Sequence, residues 1–349
     1  MDQALDKVIQ GGLDAIEAGD LKTALDAVDE AAKQVGENHV RVLHLNGMIA
    51  WSEGRVDNAA GYLMQAVDLG GAHPEVYLDC AECLFIHGDD LDEAEAVVRA
   101  LLDHKSIADD DPSRDEAKLL LAQIRLDDDD TEEALELLGQ VQPKMKEHPA
   151  YLSTYGAVMM ALGRNDEAVK SLEAAVLAAP EDPDFHYQLG LTREAAGDRE
   201  GSAEAMLHVL ELDTAISKAD ADADDDDEEL DEELSDEAKA ELIRTFEEVL
   251  EEVPDPVLKR IAHAPVSVQR RATAEQVRGG VNPRSAVAFV GTPKIGDAAG
   301  ELERIVIIHD LLLAMIDEDE EIPEVFVIGI IDELRRFFDE SMGVVSVED

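Results

Sequence analysis

The sequence predicts a mainly α-helical repeat array followed by a small α+β domain, and three observations carry that prediction. A pattern of small residues and turns recurs through the first 215 residues. A dense acidic run, ADADADDDDEELDEELSD, then occupies residues 219 to 236. Beyond it, β-prone stretches such as Val266-Ser267-Val268-Gln269 and Arg304-Ile305-Val306-Ile307-Ile308 alternate with helical ones.

Composition bounds the rest. A length of 349 residues predicts two domains. The chain is 45% apolar but only 4% aromatic, which favours helices packed on Ala and Leu. Asp and Glu number 82 against 29 Lys and Arg, giving a net charge of −53. Such a surface repels nucleic acid and anionic lipid, so neither is an expected partner. The sharper reading of this surface is adaptation to saline surroundings. The start, Met1-Asp2-Gln3-Ala4-Leu5-Asp6, has neither the basic nor the apolar region of a signal peptide. No apolar run approaches the roughly 18 residues of a membrane span, so a soluble, cytoplasmic protein is expected. Cys80 and Cys83, one helical turn apart, have no second ligand pair and are expected as small core residues.

In the array, the first small residues are Gly12, Gly47, Ala81, Ala122, Gly156 and Gly190. The turns follow at Gly19, Gly54, Gly88, Asp129, Gly163 and Gly197, and second small residues at Ala24, Ala59, Ala94, Ala134, Ala168 and Ser202. Steps of 34 or 35 residues separate the units, except for one of about 40 that contains Asp109-Asp110-Asp111-Pro112. The physical basis is close packing of two antiparallel helices. A small residue on the first helix meets Ala on the second, and the intervening turn needs a left-handed conformation.

These units resemble the tetratricopeptide repeat, in six copies over residues 1–215, with Gly156, Gly163, Ala168, Ala175 and Pro180 of the fifth all in phase. The resemblance implies a superhelix whose inner face binds an extended peptide or a helix of a partner protein. Ile16, Trp51, Phe85, Leu126, Met160 and Glu194 stand four residues after the first small residues, either as an apolar ladder along that groove or as inter-helix core. The candidate partner-binding residues are Trp51, Phe85, Met160, Arg41 and His44. Asp6, Glu75, Asp79, Glu82, Glu116 and Asp184 make the inner face acidic, so it should prefer neutral or basic apolar segments.

Residues 216–235 are expected as a disordered acidic linker, because like charges this dense repel one another and offer no core. Residues 236–349 form the expected second domain. Ser235 caps a helix to about Glu252, with apolar residues Phe246, Val249, Leu250 and Val253, and Pro254 ends it. Strands are expected at Val266–Gln269, at Ala286–Val290 and at Arg304–Ile308, the last continuing into Leu311-Leu312-Leu313. Pro323 opens a last helix whose face repeats at Val327, Ile331, Leu334 and Phe338, although Val325–Ile328 is itself β-prone.

The order of these pieces, with Phe-Val-Gly-Thr-Pro at 289–293 and Asp332-Glu333-Leu334-Arg335-Arg336 on the last helix, resembles a small zincin-like metallopeptidase domain. That family's helix reads His-Glu-x-x-His, with two imidazoles on one Zn²⁺ and the Glu activating its water. Here Asp332 and Arg336 stand at the ligand positions and only Glu333 is kept. The resemblance therefore implies relict positions Asp332, Glu333 and Arg336 with no catalytic or metal-binding residue and no cofactor. Asp332 and Arg336 have the spacing of an internal salt bridge. His263 and His309 lack ligand partners at useful spacing.

The expected function is that of a non-catalytic adaptor, with the groove binding a protein segment. The alternative is a zinc metallopeptidase with a non-standard metal site, to which the repeats recruit substrate. Self-repulsion at this charge density should be relieved by salt. We expect thermal stability to rise from low to molar NaCl, with unfolding in low salt reversed on adding salt; calorimetry across a salt series checks this.

Overall fold

A computed structural model describes residues 2–87, 91–223, 234–253, 255–294, 300–316 and 322–338. The chain divides into two compact units, Met1–Ser171 and Leu172–Asp349.

The first unit is a succession of antiparallel helix pairs: α1 (Asp2–Glu17) with α2 (Leu21–Val35), α3 (Val40–Ser52) with α4 (Val56–Leu69), α5 (Pro74–His87) with α6 (Leu91–Leu102), and α7 (Ser113–Asp127) with α8 (Thr131–Gly139). α9 (Pro149–Ala161) and the start of α10 (Asn165–Ala178) follow. The turns take the left-handed conformation at Gly19, Gly54 and Gly163, and Asp129 does so with φ 61°, alone among the described non-glycine residues. Its short polar side chain makes this tolerable. Gly88, the turn expected in the third pair, lies outside the described residues. Asp20 and Asp130 then cap the next helices, accepting from the amides of Thr23 and Glu133.

Close approach explains the small residues. A Cβ at Gly47 would sit 2.6 Å from Leu63 Cγ, so nothing larger than glycine fits without displacing that side chain. Ala24, Ala59, Ala94, Ala134 and Ala168 are completely buried. The core includes Leu45, Leu63, Cys80, Cys83, Leu101, Leu121, Ile124 and Met159. Burial, with Cys83 and Asp79 alongside, pushes the Cys80 thiol up to about 12, which leaves it an inert core group. The long connection after α6 is organised by Arg114, whose buried guanidinium donates to the carbonyls of Leu102, His104, Ile107 and Ala108.

The second unit contains α11 (Pro183–Ala195), α12 (Arg199–Ala223), α13 (Asp236–Glu252), α14 (Asp255–Ile261), β1 (Val266–Gln269), α15 (Ala274–Arg278), β2 (Val287–Thr292), β3 (Glu301–Ile308), α16 (His309–Met315) and α17 (Ile322–Phe338). β3 is central. It pairs parallel with β1, Val266 opposite Ile305, and antiparallel with β2, Val287 opposite Ile307. The unbroken apolar run of β3 signals burial on both faces. One face places Ile305 and Ile307 beside Val287 and Phe289, packed with Phe246 of α13 and with Phe326, Ile330, Leu334 and Phe337 of α17. The other places Val306, Ile308 and Ala288 against Met206 and Val209 of α12 and Val277 of α15, with Tyr187 and Leu191 of α11 alongside. The last repeat pair is thus the helical layer for one face of the sheet.

Several expectations need correction. The acidic stretch does not turn extended at Ala219, because α12 remains helical to Ala223; residues 224–233 lie outside the described residues, as does Pro254. Leu311–Leu313 continue from β3 as helix α16, not as strand. Val325–Ile328 is helical, and the buried face of α17 is Val325, Phe326, Ile330, Leu334, Phe337 and Phe338, while Val327 is 43% exposed. The cap at Ser235 is present, its hydroxyl accepting from the Ala238 amide.

A fragment of residues 236–349 lacks the α11–α12 layer and bares Ala288, Val306 and Ile308. We expect it to show no cooperative urea transition and to bind a hydrophobic dye, whereas residues 172–349 should unfold cooperatively.

Candidate functional site

Two places in the molecule gather functional side chains. In the first unit the first helices of successive pairs pack side by side, α1 with α3, α3 with α5, α5 with α7, and α7 with α9. Polar rungs cross from α3 to α5 and from α7 to α9. Arg41 pairs with Glu75, 34 residues on, and His44 Nε2 lies 2.6 Å from Asp79, 35 residues on. Trp51 Nε1 donates to His87 Nε2 at 3.1 Å. Gln123 on α7 donates to the Thr154 hydroxyl on α9 at 3.2 Å.

These rungs place the residues expected at a partner surface. Arg41 is 7% exposed and His44 is 0% exposed, so the two basic groups of this face are engaged within the protein and hold Glu75 and Asp79. Trp51, Phe85, Leu126 and Met160 are partly buried, packed against the core on one side and open on the other. Ile86 is 55% exposed. The exposed acids Glu82 and Asp127 have no cation partner among the described residues. Burial, with Asp79 nearby, raises the Glu82 carboxyl above its ordinary range, and burial with Asp128 nearby does the same to Asp127. Sequence reasoning missed Ile86 and Asp127; their signal was position, five residues after Ala81 and Ala122.

On the last pair, in the second unit, the same helix face is occupied by the chain itself. Arg284 sends Nε and Nη2 to the two oxygens of Asp213, each at 2.8 Å, and Nη1 to Asp184 at 2.6 Å. Its guanidinium lies 5.1 Å from the centre of the Tyr187 ring, whose hydroxyl accepts from Asn282. Glu194 is exposed on the same helix.

The second place is α17 against the edge strand β2. Glu333 is 2% exposed, and its Oε2 accepts from the Phe289 amide at 2.8 Å. Arg336 donates Nε and Nη2 to Glu333 at 2.9 and 2.6 Å, Nη2 to the Phe289 carbonyl at 3.3 Å, and Nη1 to the Gly280 carbonyl. Both outward polar groups of Phe289 are therefore satisfied by one ion pair, which closes that part of the sheet edge. The expected Asp332–Arg336 bridge is not the pairing found. Three residues of helix bring Glu333 under Arg336, while Asp332 stays exposed, 3.6 Å from Arg335. Burial raises the Glu333 carboxyl, against the pull of Arg336 and the Phe289 amide. His309 lies on Asp310, beside Arg270 and Arg271, and His263 is exposed. Among the described residues no group of three His, Cys, Asp or Glu side chains is arranged to hold a metal ion, and no described helix is long and apolar enough to cross a membrane.

Comparison with known proteins agrees with the repeats. Tetratricopeptide repeat models match residues 9–75, 44–106 and 126–193, so the chain carries tetratricopeptide repeats. No curated protein matches the chain. The crystal structure of PilW, a type IV pilus biogenesis factor, aligns at TM-score 0.51 and 14% identity over 62% of this chain and 100% of that one. The Cut9–Hcn1 structure aligns at TM-score 0.51 and 14% identity, over 60% of this chain and 40% of that one. Pseudomonas aeruginosa pilF gives 0.49 and 14%, over 62% and 98%. For the two at TM-score 0.51 the likeness is one of fold.

Removing one member of a buried ion pair leaves the other uncompensated. We expect Glu333→Gln or Arg336→Met to destabilise the second unit by about 3–5 kcal/mol, and the double replacement by less than the sum. Urea denaturation of the full chain, followed by near-UV signals, checks this.

Proposed function

We propose that the protein is a non-catalytic adaptor whose repeats hold a segment of a partner protein. The inner face carries half-buried Trp51, Phe85 and Met160 as apolar contacts. Arg41 and His44 act through Glu75 and Asp79, which they position. The surrounding acid favours a neutral or basic partner segment over an acidic one.

In this reading the α/β module is a degenerate zincin-like domain that positions a partner without cutting it. One observation carries the non-catalytic part: Glu333, the residue that would activate water, is held between the Phe289 amide and Arg336. The residues do not fit a zinc site. Arg336 brings a permanent cation to a position that needs a neutral imidazole, and Asp332 faces solvent.

Casein incubated with the full chain should remain intact with or without chelator. Degradation abolished both by chelator and by Glu333→Ala would establish the peptidase reading instead. In pull-downs with the full chain as bait, the triple variant Trp51→Ala/Phe85→Ala/Met160→Ala should lose the partners that the unaltered chain retains. Equal retention by both would remove the groove from the function.

A further inference from the structure

We propose that the α5–α7 part of the inner face is a docking site for a basic side chain of a partner segment, an Arg or Lys whose aliphatic stem lies on Phe85, Ile86 and Leu126 and whose charge meets Glu82 and Asp127. This deepens the adaptor reading and rests on it, because it names the chemistry of the segment that the repeats hold.

Three observations point to that occupant. The face is apolar where a stem would lie, with Ile86 55% exposed and Phe85 and Leu126 only partly covered by the core. Glu82 stands one helical turn before Ile86 on α5, and Asp127 follows Leu126 at the matching end of α7, the helix packed beside it. On this face Glu75 is held by Arg41 and Asp79 by His44, whereas Glu82 and Asp127 have no cation partner among the described residues. Each of the two carries a carboxyl raised first by partial desolvation and second by a neighbouring acid, and an incoming cation acts against both.

The third observation is the protein's own example. On the last pair, Asp184 and Tyr187 stand six and three residues before Gly190, and that face receives Arg284 between two carboxylates and over a ring. The mode is a cation with its flat or aliphatic part on an apolar side chain and its charge on acids from neighbouring helices. The α5–α7 face offers the same pair of features with nothing from the described chain in it. A basic occupant also suits a surface of net charge −53, since electrostatic steering brings it in.

The test uses the full chain and a fluorescein-labelled peptide of alternating Arg and Leu, with the Glu/Leu peptide as its counterpart, read by anisotropy at physiological salt. The Arg/Leu peptide should bind and the Glu/Leu peptide should not. Affinity should fall about tenfold in Glu82→Gln/Asp127→Asn and by a similar factor in Ile86→Ser. The variant Asp29→Asn/Glu30→Gln, with the same charge change on exposed positions of α2, should bind as the unaltered chain does. Equal weakening by the two charge pairs would reduce the effect to net charge and overturn the site. Sedimentation showing a dimer that Glu82→Gln/Asp127→Asn dissolves would make a second copy the occupant, also against the proposal. If the peptide arm fails while the groove triple variant still loses protein partners, only the cation site falls. Failure of both removes the adaptor reading as well.

Discussion

The central strand β3 must be covered on both faces, and much of the second unit follows from that requirement. Ile305 and Ile307 on one side and Val306 and Ile308 on the other are all completely buried. A three-stranded sheet has too little area to shield such a strand unless helices cover both sides. α13 and α17 supply one layer, and the last repeat pair with α15 supplies the other. The last repeat pair and the α/β module therefore share a core, joined further by Arg284 between Asp184 and Asp213. A boundary drawn where the acidic run begins would separate two layers of one sandwich.

Charged side chains are engaged at several places in both units, although Arg41 Nε and His44 Nδ1 are buried without a hydrogen-bond partner among the described residues. Along the repeats, the rungs Arg41–Glu75 and His44–Asp79 tie α3 to α5. Arg114 supports a connection of irregular backbone through four carbonyls. On α17, Glu333 and Arg336 satisfy the outward amide and carbonyl of an edge strand. In each case a charged group is engaged by the fold itself, and on α17 removal of either partner would leave the other as an uncompensated buried charge. The same engagement separates groups available for chemistry from those that are not, since Glu82 and Asp127 remain exposed where Glu75 and Asp79 are held.

How far the sequence reached depends on the range of the interactions involved. The turns were readable because each needs a backbone conformation that few residues adopt, and Asp129 takes it as the glycines do. The cap at Ser235 and the strands around Val266, Val287 and Ile305 were readable from local chemistry and period. Leu311–Leu313 misled, because an apolar run fits strand and buried helix equally well. The face of α17 misled for a related reason. Val327 and Phe326 are both apolar neighbours, and only the position of β2 and α13 decided that Phe326 would be buried and Val327 exposed.

The sequence by itself determined the repeat period, the helix pairs and the small α+β segment, because these rest on contacts within a few residues or on packing that each repeat states again. It also placed Glu333 and Arg336 on one helix. Only the tertiary structure decided their pairing, since i,i+3 and i,i+4 partners are equally near on a bare helix and the Phe289 amide selects the carboxylate that is buried. It likewise decided that Arg41 and His44 are held by acids 34 and 35 residues away, and that Glu82 and Asp127 have no cation partner among the described residues. Those outcomes depend on which helix lies alongside, and no local pattern records a neighbour brought in from another repeat.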